Sequence, residues 1–386
     1  MDVVVVGAGI IGAACAHALS GAGLRVTVLD RGAPAGATTA SGEGNVLVSD
    51  KAPGPELDLA LASVAAWPTL LASLAEELGA VDVEWDAKGG LVVATTAEAA
   101  GPLREFAAAQ VAAGVAADVL SPAEALAREP ALTPDLALAV HYPADAQLQP
   151  VLATTALLAA VRRRGGVVRA GVTVTGLRRG AGGAVRAVST TAGDLACDAV
   201  LNAAGPWAGG VAVRLGGPIA VRPRRGTVLV TAPLPPLVRH KVYDGDYVGS
   251  VGSDDAGLAT SAVVESTRAG TVLIGSSRER VGFDTTIRVP VLAAMAAAAQ
   301  RLFPVLGDVA VQRAYGGFRP YVADHLPVIG PDPRLPGLWH ATGHEGSGIG
   351  LAPATGRLVA DLMTGAVPGI DPTPFRVDRP AVAGNG

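Results

Sequence analysis

The chain has 386 residues, of which 50% are hydrophobic and 17% charged, and its formal net charge is −4. This length suits two domains or one large one, and the charge balance gives no electrostatic case for binding nucleic acid or an anionic membrane surface. The only cysteines, Cys15 and Cys197, supply no disulfide framework and no zinc or iron–sulfur ligand set. We therefore expect a protein of a reducing compartment, the cytoplasm.

The first 30 residues carry a nucleotide-binding pattern. Residues 3–6 are four valines, a run typical of a strand buried on both faces. Gly7, Gly9 and Gly12 follow in the spacing G-x-G-x-x-G, which permits a tight turn, close approach of the backbone to a pyrophosphate and packing of a helix on the strand. Asp30 ends the next strand, where a carboxylate suits ribose hydroxyls. The order of strand, glycines, helix, strand and acid predicts a dinucleotide site.

The predicted helix over 10–22 opens with Ile10 and Ile11, whose free N–H groups and positive dipole end would face the phosphates. Residues 3–24 are also apolar enough to imitate a membrane span. Five glycines and His17 within that stretch argue against a span, and no basic leader precedes it. We expect neither an integral membrane segment nor a signal peptide.

The segment after Arg31 is rich in small and hydroxyl residues. Thr38, Thr39, Ser41 and Asn45 lie in it without hydrophobic periodicity, and Gly44 interrupts any regular element. Such a loop lets the backbone lie against a flat ligand while hydroxyls bond to phosphate or ring edges. The alternative interpretation is a flexible surface loop.

The remaining helices and strands are predicted from hydrophobic periodicity and from the glycine, proline and capping residues that bound them. Helices are predicted over 57–78 (kinked or split at Pro68), 102–117, from the Ser121 cap, over 151–163, 291–302 and from about 346 to 363; strands are predicted over 138–142, 167–169, 172–175, 185–188, 199–204, 226–231, 241–251, 271–275, 309–315, 328–330 and 338–342, with a strand pair at 81–94. Two of these strands end in glycines that open a helix, at Gly205 and at 343–350, as the first strand does.

These patterns predict an α/β protein with a discontinuous Rossmann-like domain and a second α+β domain built on an antiparallel sheet. We assign 1–80, 150–215 and 325–370 to the first domain and 81–149 and 216–324 to the second. The proline- and glycine-rich end, 371–386, is expected to be a disordered tail.

Three segments together resemble the D-amino-acid oxidase superfamily of flavoenzymes, which includes glycine oxidase, sarcosine oxidase, D-amino-acid dehydrogenase and the flavin subunits of opine and hydroxyproline dehydrogenases. They are V-V-V-V-G-A-G-I-I-G-A-A-C-A with Asp30, N-A-A-G-P-W-A from Asn202, and Y-G-G-F-R-P-Y-V-A-D-H-L-P-V-I-G-P from Tyr315 followed by L-P-G-L-W-H-A-T-G-H-E-G-S-G-I-G from Leu335. The run G-H-E-G-S-G-I-G is most similar to the bacterial secondary-amine and D-amino-acid dehydrogenase branch.

The resemblance implies FAD rather than NAD. No late cysteine is present for a covalent link, so the FAD is expected to be non-covalent, and a histidine link stays open. The residues that it assigns to the cofactor are Gly7, Gly9, Ile10, Ile11, Gly12, Asp30, Arg31, Thr38, Thr39, Ser41, Gly44, Asn45, Val174, Ala203, Ala204, Gly205, Trp207, Gly316, Gly346, Ser347, Gly348 and Ile349. No metal is expected.

The reaction implied is oxidation of the C–N bond of an amino acid or secondary amino acid by hydride transfer to flavin N5, giving an imine that hydrolyses to a keto acid. Arg319 would hold the substrate carboxylate in a bidentate pair. Tyr247 would cap the pocket, and His344 would tune the ring or pass electrons. The alternatives are a strand-end ion pair for Arg319, simple packing for the tyrosine, and surface pairing for at least two of Arg222, Arg224 and Arg225.

The electron acceptor is left open as oxygen or a partner protein or quinone. A second hypothesis is a flavin subunit that depends on partner chains, and a weaker one is an NAD(P)H-driven flavin monooxygenase. A non-enzymatic FAD-binding scaffold is the remaining alternative.

Overall fold

The structure is a computed structural model that describes residues 1–245 and 257–383. The helices are α1 (Ile10–Gly21), α2 (Pro55–Leu78), α3 (Ala97–Ala112), α4 (Pro122–Arg128), α5 (Pro150–Arg163), α6 (Ala208–Leu215), α7 (Val289–Leu302), α8 (Gly348–Thr364) and α9 (Pro380–Ala383), with short 3₁₀ turns at Thr38–Ser41, Gly205–Trp207, Pro304–Asp308 and Thr373–Phe375.

The strands, taken in chain order, form four sheets. They are β1 (Asp2–Val6), β2 (Arg25–Leu29), β3 (Asn45–Val46), β4 (Gly90–Ala94), β5 (Asp118–Leu120), β6 (Leu138–Tyr142), β7 (Ala146–Gln147), β8 (Val167–Arg169), β9 (Val174–Arg179), β10 (Val185–Thr190), β11 (Gly193–Ala196), β12 (Ala199–Asn202), β13 (Arg222–Thr231), β14 (Lys241–Asp244), β15 (Ala259–Ser266), β16 (Val272–Arg278), β17 (Val311–Tyr321), β18 (Val328–Pro331) and β19 (Leu338–Thr342).

The first sheet has the order β18-β19-β12-β1-β2-β8, parallel except for β18. Its central strand β1 is buried on both faces, as the valine run predicts. Val3 and Val5 pack with α1, α5 and α8, while Val4 and Val6 pack with the small sheet β11-β10-β9 and with α6. Because parallel strands end at one edge, the glycines after β1, β12 and β19 meet there.

The second sheet has eight strands in the order β17-β13-β16-β15-β14-β4-β6-β5. It is antiparallel apart from the pair β4–β14. Helix α7 covers one face, where Met295 and Leu302 pack with Val93 and Val264. The opposite face of this sheet packs toward the helices that cover the first sheet, since Tyr243 and other residues of this sheet belong to the same core as α1 and α8. The remaining sheet pairs β3 with β7.

The mixed α/β class with a parallel sheet and a second sheet is confirmed. The first sheet draws its strands from residues 2–29, 167–202 and 328–342, and the second from 90–142 and 222–321. The domain boundaries proposed from the sequence remain a proposal.

Several sequence expectations are wrong in detail. Helix α2 runs unbroken through Pro68, which is exposed, so the helix is not split there. In 81–94 only β4 is a strand. Helix α3 begins at Ala97, capped by the Thr96 hydroxyl, and not at Pro102. Of the strand predicted over 241–251, β14 covers Lys241–Asp244, Gly245 lies in a turn, and the other predicted residues lie outside the described ones.

The expectation of a disordered tail is also wrong up to residue 383. Phe375, Val377 and Val382 are buried, and the Ala220 N–H donates to the Val382 carbonyl at 2.9 Å. Proline and glycine disfavour regular secondary structure in this segment. It is nevertheless ordered, because these three apolar side chains are buried in the core.

In the described part of the chain, α2 is the one helix long and apolar enough to span a membrane. Its Leu57, Trp67 and Leu74 are buried in the protein core, and the Trp67 indole donates to the Gly350 carbonyl at 3.2 Å. One face of this helix therefore packs on the protein core.

Candidate active site

A cavity of about 490 Å³ lies where the strand ends of the first sheet meet the second sheet. The sequence-predicted residues that line it are Gly7, Gly9, Ile10, Ile11, Asp30, Arg31, Thr38, Thr39, Ser41, Asn45, Val174, Ala203, Ala204, Gly205, Trp207, Arg319, His344, Gly346, Gly348 and Ile349. Segments from across the chain thus converge on one space.

Four predicted residues lie behind this lining. A Cβ on Gly12 would be 1.9 Å from the Gly7 carbonyl oxygen, so Gly12 serves helix packing on the strand. A Cβ on Gly44 would be 1.9 Å from the Leu148 carbonyl oxygen. The carbonyl of Gly316 accepts from the Ser41 hydroxyl at 3.3 Å, and Ser347 is the residue before α8. Tyr247 lies outside the described residues.

The glycine turn after β1 is shaped for an anion. Gly7 has φ +110°, and a Cβ there would lie 2.4 Å from the Ala203 carbonyl oxygen. Gly9 precedes α1 without a side-chain cap, and the Ile10 N–H donates to the Thr39 hydroxyl at 3.0 Å. The next N–H groups of the first turn have no helical acceptor and carry the positive end of the helix dipole.

Asp30 is fixed at the end of β2 by two backbone donors. Its Oδ2 accepts from the Ala8 N–H and its Oδ1 from the Gly32 N–H, both at 2.8 Å. An ionised carboxylate offers about four acceptor positions. Asp30 therefore braces the glycine turn and still has capacity for ligand hydroxyls.

An aromatic stack stands at the rim of the cavity. The Arg31 guanidinium lies 4.3 Å from the Trp207 ring centroid, and Trp207 stacks on Phe283 with centroids 5.3 Å apart and an interplanar angle of 6°. Phe283 also lines the cavity, although 45% of it is exposed. No local sequence pattern indicated Phe283 as a site residue, because its stacking partner, Trp207, is 76 residues away in the chain.

Helix α8 begins at the third strand–glycine–helix junction. His344, just before it, is buried, and its Nε2 lies 3.0 Å from the Thr355 hydroxyl. Burial lowers the pKa of His344 to about 3. The imidazole is therefore neutral near pH 7, and proton exchange by this ring near neutral pH is disfavoured.

The expectation of surface pairing for the arginines at the start of β13 is wrong for two of them. The Arg224 and Arg225 side chains are 1% and 3% exposed. Arg224 pairs with Glu345 at 3.2 Å, and Arg225 pairs with Glu279 at 2.7 Å. Both arginines are thus buried structural cations, and Arg222 alone remains exposed.

Arg319 lies on the wall of the cavity that the second sheet provides. A Cβ on Gly226 of the neighbouring strand would lie 2.2 Å from its Nη1, so the guanidinium lies flat across that glycine. Its Nη1 donates to the Ser277 carbonyl at 2.9 Å. A Cβ on Gly346 would be 3.5 Å from its Nε. The guanidinium is therefore held between the sheet and the loop that opens α8.

Two further glycines continue this surface, which we call the glycine floor: Gly226, Gly275 and Gly317. A Cβ on Gly317 would meet the Ser41 side chain at 2.5 Å, and one on Gly275 would meet the Glu43 carboxylate at 2.2 Å. Glu43 lines the cavity and was not among the predicted site residues. A single charged residue inside the small-residue segment 41–45 was the signal that could have identified it.

A buried ion pair lies beside the glycine floor. Lys241 and Glu265 are 2.5 Å apart, and Lys241 also donates to the Asn45 side-chain oxygen. Burial raises the pKa of Glu265 to about 7. In the described part of the chain, no three His, Cys, Asp or Glu side chains converge as a metal site.

The fold and this cavity define a dinucleotide-binding protein, and the cavity extends from the glycine turn after β1 to Gly226 and Gly317 of the glycine floor. The glycine cradle, the uncapped α1 terminus and Asp30 fit the pyrophosphate and ribose of FAD. Residues 2–362 match the family described as FAD dependent oxidoreductase (DAO), and the chain belongs to that family. Its cofactor is FAD.

Known relatives cover nearly the whole chain. Glycine oxidase of Geobacillus kaustophilus is 31% identical over 98% of this chain and 97% of its own, and its crystal structure superposes with a TM-score of 0.88 over 98% of both chains. The hydrogen cyanide synthase subunit HcnC of Pseudomonas aeruginosa is 30% identical over 98% and 96%. A D-amino acid dehydrogenase of Xanthobacter autotrophicus is 28% identical over 99% and 100%.

Proposed function

We propose that this protein oxidises the C–N bond of an amino acid or secondary amino acid, yielding an imine that hydrolyses to a keto acid. The observation that carries the proposal is Arg319, whose guanidinium lies on the cavity wall between the glycine floor and the α8 loop. A planar guanidinium binds a carboxylate through two parallel hydrogen bonds. The similarity to a glycine oxidase and a D-amino acid dehydrogenase supports the same substrate class.

Different residues of the chain would bind different parts of FAD. Gly7, Gly9 and the start of α1 hold the pyrophosphate, and Asp30 binds the ribose. Bound FAD supplies the two-electron acceptor. The first turn of α8 would supply N–H groups and a positive dipole end to the flavin ring, which would favour negative charge on it.

Arg319 fixes the substrate carboxylate and thereby sets which hydrogen of the substrate faces the acceptor. This positioning contributes to catalysis because a correctly oriented pair reacts as one molecule. Tyr247, which the sequence predicts to cap the substrate pocket, lies outside the described residues. Neutral His344 contributes shape and polarity rather than proton transfer.

Anaerobic titration of the purified flavoprotein tests the proposal. D-, L-, cyclic and N-methyl amino acids are added in turn, and the flavin absorbance near about 450 nm is followed. Bleaching by one or more of them is the expected result. A holoprotein that none of them reduces, but that NAD(P)H reduces, would contradict the proposal.

A second candidate is a flavin subunit that passes electrons to partner chains, and the match to the HcnC subunit favours it specifically. The purified chain is given its amino acid with oxygen alone or with an artificial dye. Hydrogen peroxide at the rate of flavin reduction indicates an oxidase. Dye reduction without peroxide indicates a dehydrogenase that needs a partner or quinone.

A further inference from the structure

The glycine floor carries two opposite charges side by side. The Arg319 guanidinium lies over Gly226, and the Glu43 carboxylate lies over Gly275. Both charged groups contact β16: Arg319 donates to the Ser277 carbonyl, and Glu43 lies against Gly275. Within the described residues these two groups form no ion pair with one another. A zwitterion that carries an acid and an amine on the same carbon matches both charges with one ligand.

One oxygen of the half-buried Glu43 carboxylate has no donor among the residues that the structure describes. This atom, Oε1, is shielded from solvent. Within the same described residues, the Oε2 accepts from the Asn45 side-chain amide, at 3.5 Å. A shielded acceptor without a donor is unfavourable, and more so when the group is charged. A cationic ligand group would offset this cost.

The neighbouring cation does not neutralise Glu43. Lys241 is paired with Glu265 at 2.5 Å, and both side chains are buried. The negative charge of Glu43 instead adds to that of Glu265, whose pKa it helps to raise. At pH 8 the cluster of these three residues holds two carboxylates and one ammonium, so its surplus charge is negative. The Lys88 ammonium also acts on Glu265, but it is paired with Asp86 at 3.1 Å.

We propose that Glu43 binds the amine nitrogen of the substrate while Arg319 binds its carboxylate, so that the site selects amino acids over acids that lack an amine. This inference rests on the proposed function and adds the residue that discriminates the substrate class. A positively charged or hydrogen-bearing nitrogen, primary or secondary, donates to the carboxylate. A 2-hydroxy acid lacks the charge, and a simple carboxylic acid also lacks the donor.

The test compares two ligands on holoenzyme variants at pH 8. The first is the amino acid that reduces the wild-type flavin, and its half-saturating concentration for anaerobic reduction is measured. The second is the same acid without the amine, and its Kd is measured from the change that it causes in the flavin spectrum. The variants are Glu43→Gln, Arg319→Ala and, as a control, Glu105→Gln at an exposed position on α3.

Glu43→Gln is expected to raise the half-saturating amino acid concentration at least tenfold, as loss of a charge-assisted hydrogen bond predicts. The Kd of the amine-free acid is expected to change less than twofold. Arg319→Ala weakens both ligands, and Glu105→Gln weakens neither. Equal losses for both ligands in Glu43→Gln, or no loss, would overturn the inference.

Two further outcomes distinguish failure of the proposed function from failure of this inference. A wild-type holoenzyme that no amino acid reduces refutes the proposed function and this inference with it. A wild type that is reduced, with Glu43→Gln unchanged, refutes the inference alone. If Glu43→Gln does not retain FAD, Glu43→Asp is measured instead, because aspartate keeps the charge on a shorter side chain. The half-saturating amino acid concentration and the Kd of the amine-free acid then decide the inference in the same way.

Discussion

Arg319 is the residue on which the proposed chemistry depends most directly. Arg319→Lys keeps the charge but loses the bidentate geometry, so we expect the half-saturating amino acid concentration to rise about tenfold. Arg319→Ala removes about 3 kcal/mol of charge-assisted bonding, or on the order of a hundredfold. Stopped-flow reduction of the flavin measures both.

Arg313 provides the matched control, since it lies on the same strand and is exposed. Arg313→Ala should leave flavin reduction unchanged. If Arg319→Ala behaved like Arg313→Ala, Arg319 would be a structural ion-pair residue, and the substrate carboxylate would bind elsewhere.

His344 makes a pH-dependent contribution to stability. Burial lowers its folded-state pKa to about 3, from the ordinary histidine value of 6.5. The unfolded chain therefore binds the proton more readily between pH 3 and 6.5, and the free energy of unfolding falls as pH drops through 6.5. From pH 7 to pH 5 this group alone accounts for about 2 kcal/mol.

Denaturant unfolding of holoprotein at both pH values, with FAD in fixed excess, checks this effect. His344→Gln should reduce the loss of stability on acidification by about 2 kcal/mol relative to wild type. His17 also has a pKa lowered to about 4, chiefly by burial, so a residual loss is expected in the variant. The same loss in variant and wild type would mean that His344 is protonated in the fold.

The junction of β1 with α1 depends on how closely the two elements approach. A Cβ on Gly12 would overlap the Gly7 carbonyl oxygen, so Gly12→Ala forces α1 away from the turn. Such overpacking costs about 1–3 kcal/mol, and we expect FAD affinity to fall at least about tenfold. Fluorescence titration of the apoprotein with FAD measures the change.

Gly101→Ala is the control for helix composition. Gly101 lies inside α3, and a Cβ there would meet nothing within 4 Å. This variant should bind FAD normally and gain about 0.5–1 kcal/mol of stability, because alanine favours the helix. Equal FAD affinity in both variants would show that α1 can shift without harm to the site.

Local patterns predicted the elements of the site better than their contacts. The turns at Gly7, Gly205 and Gly346 each follow an apolar strand, which periodicity and glycine spacing reveal. Placement of Glu43 over Gly275 joins segments more than 200 residues apart, and nothing in either segment encodes that register. Burial of Arg224 against Glu345 was missed for the same reason, since a run of arginines looks solvated until its distant partner is known.

At the scale of the whole molecule, the C-terminal segment is part of the core. Phe375 is fully buried with residues of α1, α2 and α8. Phe375→Ala should lower the free energy of unfolding by about 3–5 kcal/mol, the cost of a large core cavity. Val367→Ala, at a side chain that is 92% exposed, should change it by less than about 0.5 kcal/mol.

Equilibrium unfolding of the holoprotein in urea distinguishes these variants. A Phe375→Ala variant as stable as Val367→Ala would restore the sequence-based expectation of a loose tail. Composition alone predicted disorder because proline and glycine disfavour helix and strand. Whether the segment is ordered depends instead on a few apolar side chains that are buried in the core.

The first sheet is assembled from segments that lie far apart in the chain. Strand β1 lies between β2 and β12, and β12 in turn pairs with β19 from residues 338–342. Contacts between such distant segments form late, because the loops that they close are long. During synthesis on the ribosome, the nucleotide turn therefore emerges more than 300 residues before the last cofactor-facing helix, α8. Capture of FAD follows the synthesis of α8, so cellular flavin supply acts on a chain that already contains all three strand–glycine–helix junctions.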